Sequence, residues 1–197
     1  NNSNDGTDVI LKKLERPQTK IFFNNKNLGK GASIKLGIRY SSGKYIMIFD
    51  PDLEYAASDI LPMYNKINNH NYDFIIGSRR LENKISLSDL RKKSQTYLIN
   101  YFGVYLLTSL INILYGEKLT DAASALKIFE AKFIKSINLK RNGFNLDFEL
   151  VCKCSKNNGK LGEIQVEYFP RSVKEGKKIR ALKDGFTSLV AIVQDRF

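Results

Sequence analysis

The sequence is poor in the side chains from which disulfides and zinc sites are built. It has two cysteines, Cys152 and Cys154, and one histidine, His70. Two cysteines separated by one residue do not bridge easily on a helix, so we expect reduced, structural thiols and a reducing compartment. A Cys-x-Cys pair with one distant histidine supplies too few ligands for zinc. No secretory signal peptide is recognisable.

Acidic residues are also few relative to basic ones. The 197 residues contain 20 Asp and Glu against 32 Lys and Arg, which gives a formal charge of +12. Such an excess favours a polyanionic partner, which is a nucleic acid, an anionic membrane surface or a phosphorylated substrate. A solvated, lysine-rich surface explains the same numbers. No nucleic-acid motif accompanies the charge, so we expect no nucleic-acid partner. The length and the 43% hydrophobic content predict one globular domain.

Stretches with strand and helix patterns alternate along the first part of the chain. We predict strands over 20–23, 45–49, 72–76 and 160–169, and helices over 8–15, 32–40, 58–68, 97–115, 132–139, 143–154 and 186–193. This alternation indicates an α/β protein with a mostly parallel, doubly wound sheet flanked by helices. Because a polar turn leads straight into the first helix, we expect one or two strands to precede Asn1.

The strongest functional signal is an acidic turn that ends a buried strand. Residues 45–49 are apolar and rich in β formers, and Asp50, Pro51, Asp52 and Glu54 follow at once. Pro51 ends the strand, so the carboxylates lie at the carboxyl end of the sheet, where open α/β sheets bind ligands. Hard oxygen ligands of this kind suit Mg²⁺ or Mn²⁺. The alternative is a simple turn with helix caps.

The stretch 97–115 contains no charged residue and is nearly long enough to cross a bilayer. Its polar side chains share one side of a helical wheel, beside a leucine-rich face. They are Tyr97, Tyr101, Tyr105, Thr108, Asn112 and Tyr115. This pattern fits a helix at a membrane interface, a core or dimer helix, or a spanning helix.

Six motifs in order resemble family 2 glycosyltransferases of the GT-A fold, and more narrowly the dolichyl-phosphate mannose synthase-like branch. The matching stretches are 1–7, Asn27-x-Gly29-x-Gly31-Ala32, Asp50-Pro51-Asp52-Leu53-Glu54, Gly77-Ser78-Arg79, Thr120-Asp121 to Lys127, and 171–185. The resemblance covers essentially the whole chain. It implies one GT-A domain over 1–197, a Rossmann-like sheet flanked by helices, with a nucleotide-sugar half at 1–80 and an acceptor half at 81–197.

The family's opening strand and its Pro-x-Tyr-Asn-Glu type contacts are absent from this sequence, so the resemblance implies an N-terminally incomplete domain. Ala125 stands where the family often has Gly or Cys. The sequence has no tryptophan and therefore no Gln-x-x-Arg-Trp motif, which argues against a processive polysaccharide synthase.

The resemblance implies an inverting transfer of a hexose from a nucleotide-diphospho-sugar to a polyprenyl phosphate. Mg²⁺ or Mn²⁺ is then the cofactor, held by Asp50, Asp52 and Glu54, and a membrane surface and a homodimer partner are expected. The location implied is the cytoplasmic face of a membrane. A transfer to a hydroxyl acceptor and a non-catalytic basic module are the alternatives.

The same resemblance assigns the remaining site residues. Asn1, Asp50, Pro51, Asp52, Arg79, Arg171 and Lys177 are expected at the donor, and Asp52, Asp121 and Arg171 in catalysis. The basic segment 170–185 forms a flexible flap over the phosphates or only a solvated surface. A guanidinium suits phosphate, so Arg79 and Arg91 are candidates for the acceptor phosphate. Asp121 orients the acceptor or tunes a neighbour, serves as a base for a hydroxyl acceptor, or only caps a turn.

Overall fold

The computed structural model describes residues 2–3, 5–14, 16–82, 95–171 and 181–197, with the backbone alone at 95, 96, 181 and 182. The helices are α1 Thr7–Lys13, α2 Lys30–Tyr40, α3 Ile60–Asn69, α4 Gln95–Tyr115, α5 Ala131–Ser136, α6 Leu146–Lys156 and α7 Ala181–Arg196. The strands are β1 Tyr45–Ile48, β2 Phe74–Ser78, β3 Lys127–Glu130 and β4 Leu161–Gln165, and a 3-10 turn spans Ala57–Asp59.

The strands of the described residues form one mixed sheet in the order β1-β3-β2-β4. β2 pairs with β4 in parallel, whereas β3 is antiparallel to both β1 and β2. Three of the four strands therefore run in the same direction, as expected for a mostly parallel α/β sheet. Because β3 comes from the second half of the chain and lies between two strands of the first half, the expected halves 1–80 and 81–197 share one sheet.

Two segments differ from the sequence-based expectation. In the described structure, residues 20–23 form no strand, and Phe22 instead stacks on Tyr40 with ring centroids 4.6 Å apart. A short apolar run becomes a strand only where a neighbour completes its hydrogen bonds. The opposite happens at 127–130, where no strand was predicted and the structure has β3, because β1 and β2 both offer it free edges.

Helices cover both faces of the sheet, as the alternation predicts. On one face, α4, α6 and α7 pack over Phe74, Ile76 and Phe129. On the other face, α3 packs over Ile75 and Ile128. Neighbouring residues of a strand point to opposite faces, so β2 contributes to both clusters. This arrangement leaves the carboxyl ends of β1, β2 and β4 at one edge, where the loops that follow them meet.

Helix α4 begins and ends close to the predicted limits, and it directs Thr108 and Tyr115 into the protein, whereas Tyr105 is 58% exposed. Thr108 is buried and its hydroxyl accepts a hydrogen bond from Ala122 N at 3.3 Å, while Tyr115 donates to the carbonyl of Ile192 at 2.8 Å. Part of the apolar surface is left in solvent, while Ile111 is buried in the core. The large exposed side chains of α4 include Ile99, Phe102, Leu106 and Ile113. Among the described residues, α4 is the one helix that is long and apolar enough, by length and composition, to cross a membrane.

Candidate active site at the carboxyl edge of the sheet

The acidic turn follows β1 as predicted, and it is a tight, partly strained turn. Asp52 Oδ1 accepts a hydrogen bond from the backbone N–H of Glu54 at 3.1 Å. Leu53 between them has a φ of 63° and an 85% exposed side chain. A left-handed conformation is costly for a branched side chain, and such strain concentrates at functional sites. The turn holds Asp52 in place while the apolar side chain of Leu53 projects into solvent.

Arg171 joins this turn from the far end of the chain. Its Nη2 donates to Asp52 Oδ2 at 2.6 Å, and its backbone N–H donates to Glu54 Oε1 at 3.0 Å. Tyr168 O–H donates to Glu54 Oε2 at 3.0 Å. These hydrogen bonds therefore hold the segment that follows β4 against the turn at the end of β1. The structure brings the predicted residues Asp52 and Arg171 together.

Asp50 is paired with Lys30, a residue that the sequence interpretation did not select. The Nζ of Lys30 lies 2.6 Å from Asp50 Oδ2. Lys30 stands between two glycines that touch the backbone of Asn142, since Gly31 N–H donates to the Asn142 carbonyl at 2.7 Å and a Cβ on Gly29 would lie 2.3 Å from that oxygen. The glycines predicted to permit a close backbone approach thus allow contact with the 141–142 segment, and this contact aims Lys30 at the acidic turn.

The three carboxylates do not converge on one point. Across residues 2–3, 5–14, 16–82, 95–171 and 181–197, no group of three or more His, Cys, Asp or Glu side chains is placed to hold a metal ion. Glu54 differs most from the predicted metal site, because its two oxygens accept hydrogen bonds from the Tyr168 hydroxyl and the Arg171 backbone N–H. Glu54 therefore supports the turn, and its part in metal binding stays a prediction.

Asp50 and Asp52 retain the chemistry that suits Mg²⁺ or Mn²⁺. Their side chains are 30% and 23% exposed, and their oxygens face the side-chain cations of Lys30 and Arg171. Partly exposed carboxylate oxygens are hard ligands of the kind that a divalent cation takes, and such a cation would compete with Lys30 and Arg171 for them. Metal binding by these two residues remains a prediction.

At the end of β2, Arg79 and Asp121 form a buried, bidentate ion pair. Arg79 Nε and Nη2 lie 2.6 Å and 2.8 Å from the two carboxylate oxygens of Asp121, whose exposure is 0%. Burial opposes ionisation of Asp121, but Arg79 outweighs it and lowers the pKa of this carboxyl. An inaccessible carboxylate with a lowered pKa is a poor proton acceptor. Of the roles expected for Asp121, the structure favours the tuning of its neighbour Arg79 over contact with the acceptor.

The loop that carries Asp121 is held by Glu163 of β4. Glu163 accepts hydrogen bonds from the N–H and hydroxyl of Thr120 at 2.8 and 2.9 Å and from the N–H of Asp121 at 2.9 Å. Burial raises the pKa of Glu163, and the hydrogen bonds of the loop partly offset this effect. Glu163 was not selected from the sequence, where its strand, with the residues LGEIQ, gives no distinct signal for this role. The Arg79 guanidinium also lies 4.9 Å from the ring of Tyr168, which links the two arginine clusters.

A chain of buried charges connects the acidic turn with the 120–127 loop. Asp147 lies 3.7 Å from Lys30 Nζ and 3.5 Å from Lys127 Nζ. Lys127 is fully buried and donates to the carbonyls of Ala122 and Ser124, and burial lowers its pKa. Lys127 was not selected from the sequence, although a lysine within the apolar run 125–129 is a signal that such a charge has a buried partner.

Three predicted residues lie outside the described part of the chain. They are Asn1 and Lys177 at the donor and Arg91 at the acceptor phosphate, and most of the basic segment 170–185 lies outside it as well. Pro51 is exposed in the acidic turn, where it was expected. His70 ends α3 with an exposed side chain and takes no part in the contacts of the site.

Comparison with solved structures assigns the fold to the GT-A class of glycosyltransferases. The glucosyl-3-phosphoglycerate synthase of Mycobacterium tuberculosis, solved in complex with Mn²⁺, UDP-glucose and phosphoglyceric acid, matches with a TM-score of 0.66 at 12% sequence identity. The match covers 98% of this chain and 65% of that one. At this identity the likeness shows the fold alone.

The sequence comparisons identify the family. The model of glycosyl transferase family 2 matches residues 1–137, so the chain belongs to that family and is a glycosyltransferase domain. It is 23% identical over 158 residues to glycosyltransferase AglJ of Haloferax volcanii, covering 80% of this chain and 49% of AglJ.

Two relatives are named for polyprenyl phosphates. Dodecaprenyl-phosphate galacturonate synthase of Rhizobium johnstonii is 30% identical over 114 residues, covering 58% of this chain and 30% of that protein. UDP-N-acetylglucosamine–dolichyl-phosphate N-acetylglucosaminyltransferase of Methanococcus voltae is 25% identical over 160 residues, covering 79% of this chain and 61% of that protein. The chain thus spans about half the length of AglJ and less than two thirds of these two relatives.

Proposed function

We propose that this domain transfers a hexose, with inversion, from a nucleotide-diphospho-sugar to a polyprenyl phosphate at the cytoplasmic face of a membrane. The observation that carries the proposal is the meeting of groups from distant parts of the chain at one sheet edge. Asp52 after β1 contacts Arg171 after β4 at 2.6 Å, and Arg79 at the end of β2 lies against Tyr168 of the same segment.

Each group at this edge has a role in departure of a nucleoside diphosphate. Arg171 and Lys30 supply positive charge next to Asp52 and Asp50, where the diphosphate is expected. A divalent cation held by the two aspartates would supply further neutralisation of the leaving diphosphate. Glu54 keeps Arg171 in reach by accepting a hydrogen bond from its backbone N–H.

The buried state of Asp121 favours a phosphate acceptor over a hydroxyl acceptor. In the proposed step a phosphate oxygen forms the bond to the sugar carbon as the bond from that carbon to the diphosphate breaks, and the diphosphate leaves with the electron pair. A phosphate monoester is already ionised near neutral pH, so no proton has to be removed. A hydroxyl acceptor requires a base, and Asp121 is committed to Arg79 with a lowered pKa. The relatives named for polyprenyl phosphates support the same choice.

Two packed helices offer a surface for the membrane that holds a polyprenyl acceptor. α4 exposes Leu106 and Ile113, which are 66% and 79% exposed, and α7 exposes Phe186, which is 67% exposed. On α7 the exposed apolar residues recur as a stripe along one face, at 186, 189 and 193, and the exposed Phe197 follows the end of the helix. Exposed apolar side chains on two helices that pack against each other favour an apolar environment.

We expect the domain to be stabilised by a nucleotide-diphospho-sugar together with Mn²⁺. At a ligand concentration of about one hundred times Kd, the midpoint of thermal unfolding should rise by roughly 5–10 °C for a domain of this size. A thermal-shift screen of UDP- and GDP-sugars with and without Mn²⁺ measures this, followed by transfer to a prenyl phosphate. No shift with any donor, and no transfer to prenyl phosphate or to a hydroxyl acceptor, would contradict the proposal. Transfer to the hydroxyl acceptor alone would correct the acceptor.

We also expect the chain to bind vesicles that contain anionic lipid. Replacing Ile113 and Phe186 by Gln should weaken binding roughly tenfold or more, because two large side chains no longer enter the apolar region. Leu61→Gln on α3 is the matched control, since Leu61 is 64% exposed on the other face of the sheet. Vesicle flotation measures the binding. Unchanged flotation of the double variant, or a dimer in gel filtration that this variant dissolves, would assign the surface to a second copy instead.

A further inference from the structure

The first turn of α2 is capped by a backbone carbonyl from a distant part of the chain. Its N-cap residue is Gly29, which has no side chain to cap the helix. The carbonyl of Asn142 instead accepts hydrogen bonds from the N–H groups of Gly31 at 2.7 Å and Ala32 at 3.3 Å. The first N–H groups of a helix have no partner within the helix, so an external acceptor stabilises its start. The position of Lys30, which begins α2, therefore depends on the position of Asn142.

The contact between α2 and this carbonyl is too close for any side chain. A Cβ on Gly29 would lie 2.3 Å from the Asn142 oxygen, and a Cβ on Gly31 would lie 2.8 Å from the carbonyl oxygen of Arg141. Gly37 of the same helix is different, because a Cβ there would meet nothing within 4 Å. Glycine at 29 and 31 thus permits a backbone approach that any larger residue would push apart.

Glu149 of α6 fixes the segment that carries this carbonyl. Its two carboxylate oxygens accept hydrogen bonds from the backbone N–H groups of Lys140 and Arg141, both at 2.7 Å. The Glu149 side chain is fully buried, and Lys153 Nζ lies 2.6 Å from its Oε1. Hydrogen bonds to a charged acceptor are among the strong ones, and two of them to consecutive N–H groups fix the course of the backbone. Segment 140–142 is therefore held in place from another helix.

The contacts that start at Glu149 end at the cation beside the acidic turn. Lys30 Nζ lies 2.6 Å from Asp50 Oδ2 and 3.7 Å from Asp147 Oδ2, and the Lys30 side chain is only 19% exposed. A shift in the first turn of α2 would move this ammonium group away from Asp50. A displacement of about 1 Å in a group that positions a substrate can lower a rate by about a hundredfold. The placement of segment 140–142 thus decides where the positive charge of Lys30 lies.

We propose that Glu149 is the positioning residue for Lys30 in binding of the donor diphosphate. Glu149 acts through segment 140–142 and the first turn of α2, and the group that contacts the diphosphate is Lys30. The inference rests on the proposed function, in which Lys30 supplies positive charge to the diphosphate. It adds to that function a buried carboxylate on a different helix, which determines the affinity for the donor.

Calorimetry of UDP and GDP binding, each with Mn²⁺, tests the proposal. Glu149→Gln presents an amide N–H₂ where one carboxylate oxygen accepted a backbone N–H, so segment 140–142 should shift. Kd should rise about tenfold for the nucleotide that the wild-type chain binds, and KM for its sugar conjugate should rise more than kcat falls. Gly31→Ala displaces the same segment without removing a charge and should have the same effect. Gly37→Ala is the matched control and should leave Kd unchanged.

A double-mutant cycle separates positioning of Lys30 from a general loss of structure. Lys30→Met should itself raise Kd for the nucleotide by about tenfold. Adding Glu149→Gln to Lys30→Met should raise it no further, because the group that Glu149 positions is already gone. Losses that multiply in the double variant would give Glu149 a structural role only and would overturn the proposal.

Amide hydrogen exchange of the nucleotide-free chain separates failure of this inference from failure of the proposed function. The Ala32 amide should exchange at least about tenfold faster in Glu149→Gln and in Gly31→Ala, while the amides of β2 keep their protection. If Glu149→Gln also loses protection in β2, Gly31→Ala provides the deciding comparison. Unchanged exchange at Ala32 in the folded variant would overturn the inference. Faster exchange, with neither nucleotide bound by the wild-type chain, would overturn the donor role and retain the positioning of Lys30 by Glu149.

Discussion

Asp121→Asn should destabilise the domain by about 3–5 kcal/mol, a large part of the stability of an ordinary domain. The reason is the charge left behind: Arg79 would lose its bidentate partner within a site where Asp121 has 0% exposure. Urea or thermal unfolding measures the loss. Because Arg79 lowers the pKa of Asp121, the pair contributes its full stabilisation above the pKa of an unfolded aspartate and loses it only as the pH falls through the lower folded pKa. The effect should therefore be fully present at neutral pH.

Two variants test whether the unpaired charge of Arg79 causes the loss of stability. Asp8→Asn removes an exposed carboxylate from an i,i+4 pair with Lys12 and should change stability by less than about 0.5 kcal/mol. Arg79→Met combined with Asp121→Leu should be more stable than Asp121→Asn alone, because both charges are gone. A double variant as unstable as Asp121→Asn would show that the pair does not act through its charges.

This prediction changes the use of Asp121 as a diagnostic residue. If Asp121 were a base for a hydroxyl acceptor, as considered from the sequence, Asp121→Asn would abolish transfer to a hydroxyl and affect transfer to a phosphate only mildly. In the structure the side chain supports Arg79 in either case. Both acceptors would lose turnover, so the acceptor has to be identified by direct competition between the two substrates.

Asp52→Asn should lower kcat for sugar transfer by at least about a hundredfold while the domain stays folded. Asparagine keeps an oxygen that can accept the hydrogen bond from Glu54 N–H, so the turn is preserved, but the negative charge beside Arg171 is lost. The side chain is 23% exposed, so the substitution buries no unpaired group. Steady-state kinetics with Mn²⁺ and a thermal midpoint measure the two effects, with Asp8→Asn as the control for the chemical change.

Metal removal is a second test of whether Asp50 and Asp52 bind a cation needed for activity. Wild-type activity should disappear in EDTA and return with Mn²⁺ or Mg²⁺, and calorimetric Mn²⁺ binding should be weakened in Asp52→Asn even without donor. Full activity of the wild-type chain in EDTA would exclude the metal role. In that case the positive groups Lys30 and Arg171, which lie 2.6 Å from Asp50 and Asp52, would be the remaining charges for the diphosphate.

Local patterns determined the elements and the family. The apolar run before Asp50 predicted β1, the uncharged stretch 97–115 predicted α4, and the order of motifs predicted the GT-A fold and family 2. These features depend on residues close in sequence, because strand and helix periodicities and turn chemistry act over a few residues. The prediction of a strand at 20–23 was wrong for the described structure, because strand formation also depends on a neighbour far away in the chain.

The amino-acid sequence by itself thus determined which groups can do chemistry: two aspartates after a strand, arginines at strand ends and an apolar helix beside them. Only the tertiary structure decided which of these groups meet. It placed Arg171 against Asp52, with Glu54 supporting that contact. It buried Asp121 against Arg79. It also added three residues that the sequence interpretation had not selected, which are Lys30, Lys127 and Glu163. The physical reason is that a charge acquires its partner, its burial and its pKa from residues far apart in the chain, and no local pattern records those distances.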